Sequence, residues 1–470
     1  MTEPNNFFSS ANSSNLLPYG ILLISGIIAG FFYLVHADLY APLSIILFYP
    51  VYRWILTRHT EDENERSFAL TIFHISLFIR LLWVFAGSLW SYFDYNVLEQ
   101  DSLSYDILAK EYIQYIFGNS DSWLTNPAAY RAKAFNIYMG FIYLFFNYSI
   151  LAVLIGNAFM SATAASFLYL AGKRIYNERT GKIAALMMVF FIPSIMIDAR
   201  LLKESLVLFL VSYMILLLAK IQIRKSYTLL FEILLILTCL YFTRIYYAFF
   251  LIPALLYVIL ANFPRKQKIT GLAIITIFIA VIIYQELQTP SSVTLIALTQ
   301  TGWFRVTGVE AIDKSEGVSA LIGLVLNPSA IVGAVYRGIK FIFFMPIYFY
   351  IQGVTIHGVH DALQTVWSLF SGVMWALLPG IIWAVAISIK KLRRNTFSLF
   401  SFLLLAVPFF GLKVMTNRYK LGVYVILFLF AAYGLENRRK WLGLAPFYLI
   451  LVMLITLVML DRKMGLLGLF

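Results

Sequence analysis

The chain has 470 residues, 61% of them hydrophobic, with a mean hydropathy of +0.82 and a formal net charge of +13. Such a composition excludes an ordinary soluble domain: a run like Leu206–Leu218 (LVLFLVSYMILLL) satisfies its backbone polar groups in lipid only by closing helical hydrogen bonds. The positive charge does not point to nucleic acid, because Lys and Arg bunch in short joints between apolar runs and no soluble basic domain carries them.

Residues 1–15 are polar and lack Lys and Arg, so they read as a disordered tail ahead of a retained helix rather than as a secretory signal. Residues 16–470 read as a single multi-span membrane domain. Apolar runs fall at 16–35, 39–57, 68–92, 148–172, 182–197, 205–221, 228–243, 245–262, 269–287, 363–389, 396–413, 420–435 and 441–460. The expected fold class is therefore all-α, a polytopic integral membrane protein with about thirteen transmembrane helices. The stretch 134–147 is too short to cross and is expected to be re-entrant or interfacial. The run 331–352 carries Arg337, Lys340 and Pro346 and is expected to lie amphipathic on the outer surface. The single Cys239 sits in an apolar run with no second cysteine to pair with, which excludes a disulfide framework and a thiol metal site.

Orientation comes from the joints. Basic clusters stand at Lys173–Lys182, Arg224–Lys225, Arg265–Lys268, Lys390–Arg394 and Arg438–Lys440. Placing all five in the cytoplasm gives a consistent zigzag with the amino terminus inside. Two long outer segments, 93–135 and 288–362, then form the expected active-site face, since long loops without a role are uncommon.

The first of these reads FDYNVLEQDSLSYDILAKEY and gathers Asp94, Glu99, Asp101, Asp106 and Glu111 just after a span. Carboxylates at a membrane rim suit a general base acting on an alcohol; the plainer reading is a solvated helix face. Leu103, Ile107, Leu108, Tyr112 and Ile116 recur near helical spacing, which predicts a helix here. The corner IDARLLKES, 197–205, sets Asp198, Arg200, Lys203 and Glu204 between two spans, with Arg200 and Glu204 spaced to pair on one helix face. Charges so near hydrocarbon are costly unless paired, hydrated or in use; a helix-hairpin cap with snorkelling cations explains them equally well.

Arg244, Arg305, Arg337, Lys340 and Arg418 fall on the same side, and several such cations would suit an anionic head group. Tyr246, Tyr247 and Trp303 are candidates to stack on a sugar. The HGVHD stretch at His357, His360 and Asp361 has two-ligand spacing but no zinc signature, so no metal site is expected. No phosphate-cradling loop, dinucleotide fingerprint or nucleophile elbow appears, which argues against a soluble nucleotide donor.

Four stretches together resemble the GT-C superfamily of polyprenyl-phosphate-dependent membrane glycosyltransferases, close to its bacterial dolichyl-phosphate-mannose mannosyltransferase-like branch. They are Asp101-Ser-Leu-Ser-Tyr105-Asp-Ile-Leu-Ala109, the helix pair and basic turn from Phe135 onward, Pro193 through Leu202-Lys203-Glu204-Ser205, and Asn417-Arg418-Tyr419-Lys420-Leu421. The chain departs from the family where Ser102 follows Asp101 in place of a second acid, and where Gly422 and Val425 stand at positions commonly proline.

The resemblance implies a sugar moved from a polyprenyl-phosphate donor to an acceptor hydroxyl, with inversion, at the outer face of a bacterial plasma membrane. It makes Asp101 the leading base and Asp94 its reserve. Lys203, Arg244, Arg418 and Arg200 become the lipid-phosphate ligands, with Tyr105 and Glu204 in support, Glu204 either orienting Lys203 or holding a divalent cation. No other cofactor is implied. The acceptor is a lipid, a glycan or a protein, and the remaining partners are membrane lipids. Two other readings stand beside it: a polysaccharide polymerase or ligase of the O-antigen type, and a transporter or flippase, which predicts internal repeats with broken helices and midplane charges.

Overall fold

The computed structural model describes residues 38–89, 100–119, 132–224, 226–288, 359–390 and 420–444, with a few single positions besides. Among the described residues every regular element is helical. In chain order these are α1 (Tyr40–Thr57), α2 (Glu63–Leu89), α3 (Gln100–Ile116), α4 (Lys133–Phe145), α5 (Ile150–Ile175), α6 (Glu178–Val189), α7 (Ile192–Asp198), α8 (Glu204–Ile223), α9 (Tyr227–Thr243), α10 (Ile245–Asn262), α11 (Arg265–Gln288), α12 (Val359–Lys390) and α13 (Leu421–Glu436). Three of them, α2, α5 and α8, are long and apolar enough to cross a membrane, and the bent pair α6–α7 makes a fourth. These are the properties of a membrane protein.

Helix α5 is the axle. Every residue from Ala152 to Gly172 is buried, and α1, α2, α6 and α8 pack around it. Its start is fixed by Ser149, whose hydroxyl accepts the Ala152 N–H at 3.1 Å after a reversal through Asn147 and Tyr148, both at positive φ. Its far end packs against α6 through paired glycines. A Cβ on Gly181 would lie 2.5 Å from the Tyr169 carbonyl oxygen, so only hydrogen lets the two backbones meet.

One expected span is not continuous. The run 182–197 breaks after Val189, and α6 and α7 meet at 50°. Pro193, in the first turn of α7, has no N–H to continue the earlier ladder but suits the start of a new helix.

The basic joints gather at one end of the bundle. Arg174 donates to the His59 carbonyl and to Glu61, Lys220 meets His59, and Asn177 and Thr180 both donate to Glu436. Lys440 sits over Trp383, which stacks on Tyr433. The joints after α5, α8 and α13 therefore share a face, with Trp383 of α12 beside them, as the charge pattern expects.

Candidate functional site

The opposite end carries the corner that joins α7 to α8. It does not sit at the rim. Ser161 of α5 donates to Asp198 at 2.6 Å, and Asn157 donates to the Arg200 carbonyl at 3.0 Å. These two positions lie roughly 10–17 Å along α5 from its first residue, at about 1.5 Å per residue. The corner is thus a recessed floor, and the short length of α6 and α7, 12 and 7 residues against the 26 of α5, is what recesses it.

Asp198 is fully buried and takes no part in the face of that floor. Its Oδ2 accepts from Arg80 at 2.7 Å, and its Oδ1 accepts from Ser161 and Ser205, each at 2.6 Å. Arg80, also fully buried, spends its other N–H groups on Ser76, Ser194 and the Met188 carbonyl. Both charges are paired and hydrogen-bonded, which is how an ion pair survives in a low dielectric. Sequence reading missed Arg80. The signal was there: a lone cation inside FHISLFIRLLWVFAG needs a buried partner.

Lys203, the residue that opens α8, is buried, and its ammonium lies over the Tyr105 ring at 5.3 Å from the centroid. Glu204 follows it and accepts from Arg244 at the α9–α10 joint. This corrects the expected Arg200–Glu204 pair. Arg200 stands in the turn before α8 rather than one helical turn away on the same face, so the carboxylate takes its cation from another helix.

The floor is covered by α3 and α4. Tyr143 of α4 donates to Asp106 at 2.7 Å, and Lys110 donates to the same carboxylate at 2.8 Å. Asp106 is 3% exposed, so at this position the solvated-face reading fails. The buried face of α3 is Ser102, Tyr105, Asp106, Leu108, Ala109 and Ile113, whereas Leu103, Ile107 and Ile116 are exposed. The helix docks with a mixed polar, aromatic and aliphatic side and turns Leu103, Ile107 and Ile116 of its apolar stripe outward. Asp101 stands on the first turn of α3, one turn before Tyr105. Lys133, at the start of α4, reaches over Phe242 near the end of α9.

Tyr246 and Tyr247 are not sugar platforms. Both are buried against each other and Phe250, and the Tyr247 hydroxyl accepts the Gly422 N–H at 3.1 Å. That bond seats the start of α13 beside Arg244. Lys420, almost fully buried at this start, is a second cation that sequence reading did not single out, although it lies within the Asn417–Leu421 stretch. Of the other site candidates, Asp94, Glu99, Trp303, Arg305, Arg337, Lys340, His357 and Arg418 lie outside the described residues.

Chemically, the corner brings cations from α8 and the α9–α10 joint beneath an acid-bearing helix. It can hold an anion on the floor and act on a group above it. No protein-family model matches the chain, and no curated protein matches it.

Proposed function

We propose that this chain is a polytopic membrane glycosyltransferase of the GT-C kind, with about thirteen spans and its amino terminus in the cytoplasm. It moves a sugar from a polyprenyl-phosphate donor to an acceptor hydroxyl at the outer face of a bacterial plasma membrane. The observation that carries the reading is the contact of Lys203 with Tyr105, which draws the helix bearing Asp101 onto the recessed cationic corner.

In this reading the donor phosphate lies over Lys203 and the Glu204–Arg244 pair, with Arg200 at the same corner and Arg418 approaching from the α13 side. Asp101 accepts the proton of the acceptor hydroxyl, with Asp94 its reserve. The acceptor oxygen attacks the anomeric carbon from the face opposite the phosphate, the bond to the phosphate oxygen breaks, and polyprenyl phosphate departs with inversion at the sugar. Fixed cations favour the charge that grows on the leaving phosphate. The acceptor is a lipid, a glycan or a protein, since all three present a hydroxyl.

The test is incubation of the purified chain with a panel of polyprenyl-phosphate sugars, wild type against Asp101→Asn. Consumption of one donor by the wild type and its loss of about 100-fold or more in the variant is the expected result. Full turnover by a well-folded Asp101→Asn protein removes that residue from the role. Consumption of diphosphate-linked glycans alone gives the polymerase reading instead, and no consumption of any donor gives the transporter.

A further inference from the structure

At the other end of the bundle a cleft of about 350 Å³ opens between the α1–α2 joint and the α8–α9 joint. We infer that it binds the phosphate of an anionic phospholipid, with the head group in the cleft and the acyl chains against the outer wall of α9. The inference does not rest on the glycosyltransferase reading, and it concerns a different part of the molecule.

Three cations line the cleft: Arg58, Lys220 and Arg224. Two carboxylates line it as well, and both are already engaged. Glu61 accepts from Arg174, while Glu232 accepts from Arg58 through one oxygen and from Tyr213, at 3.1 Å, through the other. Arg58 spends only part of its five-donor fork on Glu232, and its side chain is 45% exposed. Arg224 is exposed and has no carboxylate partner among the described residues. Thr60, Ser226 and Thr228 add hydroxyls, and the first turn of α9 directs backbone N–H groups to the same place.

A hydrogen-bonded chain holds these groups in position. Lys220 can only donate and the Glu232 carboxylate only accepts, so the contacts between them have one polarity. Lys220 donates to His59 Nδ1 at 3.0 Å, His59 Nε2–H donates to the Tyr213 hydroxyl at 2.8 Å, and Tyr213 donates to Glu232. His59 is then neutral and adds no charge. The lining side chains sum to a net charge of +1, from Arg58, Lys220 and Arg224 against Glu61 and Glu232.

What selects a lipid over free phosphate is the wall beside the cleft. Ile223 lines it and is exposed; Trp54 (one turn before Arg58, whose guanidinium lies 5.7 Å from its ring centroid), Tyr227 and Phe231 are exposed next to lining residues. Cations and hydroxyls flanked by exposed aromatic and apolar side chains match the two chemistries of a phospholipid at the head-group level.

The experiment uses the full-length chain in neutral detergent, with phosphatidylglycerol, phosphatidylcholine or inorganic phosphate added separately. Thermal midpoint and retained lipid by native mass spectrometry are read, with helical content by circular dichroism as the folding control. Phosphatidylglycerol is expected to raise the midpoint and to be retained, and R224Q is expected to weaken its binding about five-fold. T228E, which puts a carboxylate at the mouth, is the second variant and is expected to do the same. An equal effect from inorganic phosphate overturns the lipid assignment. Retention of phosphatidylglycerol unchanged in both variants overturns the site.

Discussion

Arg80 and Asp198, 118 residues apart in sequence, form a fully buried ion pair at 2.7 Å that ties the middle of α2 to the floor of the recessed corner. Every strong hydrogen-bonding direction of the pair ends on a serine hydroxyl or a backbone carbonyl, so the charges serve as a strut and not as reactants. Removing one partner leaves the other charged and buried. Arg80→Met is expected to cost about 3–5 kcal/mol, read as a fall in thermal midpoint and in yield of folded protein. The double variant Arg80→Met/Asp198→Leu removes both charges and is expected to recover most of that loss. Equal damage in the single and double variants would show that the serines, not the charge balance, hold the corner.

The strut also shows how far the sequence could be read. Hydropathy is a local property, so α2, α5 and α8 were legible, and so was the gathering of basic joints at one end. The corner at Lys203 and Glu204 was legible because charges next to hydrocarbon are conspicuous. Arg80 was averaged away in its apolar run, and its partner lies on a distant segment that no local pattern names. The face of α3 misled for another reason. Apolar spacing marks the buried side of a helix in water, but here Ser102, Tyr105 and Asp106 turn inward and Ile107 turns out. The pairing of Glu204 with Arg244 rather than Arg200 was equally out of reach, since it depends on α9 ending beside the start of α8.

Gly422, at the start of α13, is hemmed in by the Tyr247 ring. A Cβ there would lie 2.5 Å from Tyr247 Cε1, and the N–H that proline lacks is the donor to the Tyr247 hydroxyl. Gly422→Ala is expected to lower stability by about 1–3 kcal/mol by forcing the ring aside. Adding Tyr247→Leu should relieve part of this, measured as a midpoint above that of Gly422→Ala alone. A harmless Gly422→Ala would mean that α13 does not seat on Tyr247 as described.

His59 gives a pH dependence with a definite sign. Burial, with Lys220, Arg58 and Arg174 nearby, depresses its pKa to about 3. The unfolded chain, near the ordinary value of about 6.5, binds this proton more readily. The contribution is therefore complete above about pH 6.5 and is lost as pH falls toward 3, by up to about 1.4 kcal/mol per unit. Thermal midpoints measured between pH 7.5 and 5 are expected to fall. His59→Asn, which has no proton to gain, is expected to flatten that slope even if it lowers the midpoint at pH 7.5. A wild-type slope unchanged in the variant would assign the titration to another group.

Lys203 and Arg244 reach the corner by different routes, and their variants should separate binding from architecture. Lys203 lies over the Tyr105 ring, so Lys203→Ala removes the cation proposed to meet the phosphate while leaving the Glu204–Arg244 pair in place. It is expected to weaken polyprenyl-phosphate binding by about ten-fold or more, with a smaller fall in thermal midpoint than Arg244→Ala causes, because a charge-assisted hydrogen bond is worth about 1.5–3 kcal/mol. Arg244→Ala removes the ion-pair partner of the buried Glu204 carboxylate and should lower both affinity and stability; Arg244→Ala/Glu204→Gln should restore stability but not affinity. Donor titration by fluorescence or calorimetry, run beside thermal melts, distinguishes the two. If Lys203→Ala binds the donor as the wild type does, the recessed corner is a structural joint, and the phosphate must be sought elsewhere on the outer face.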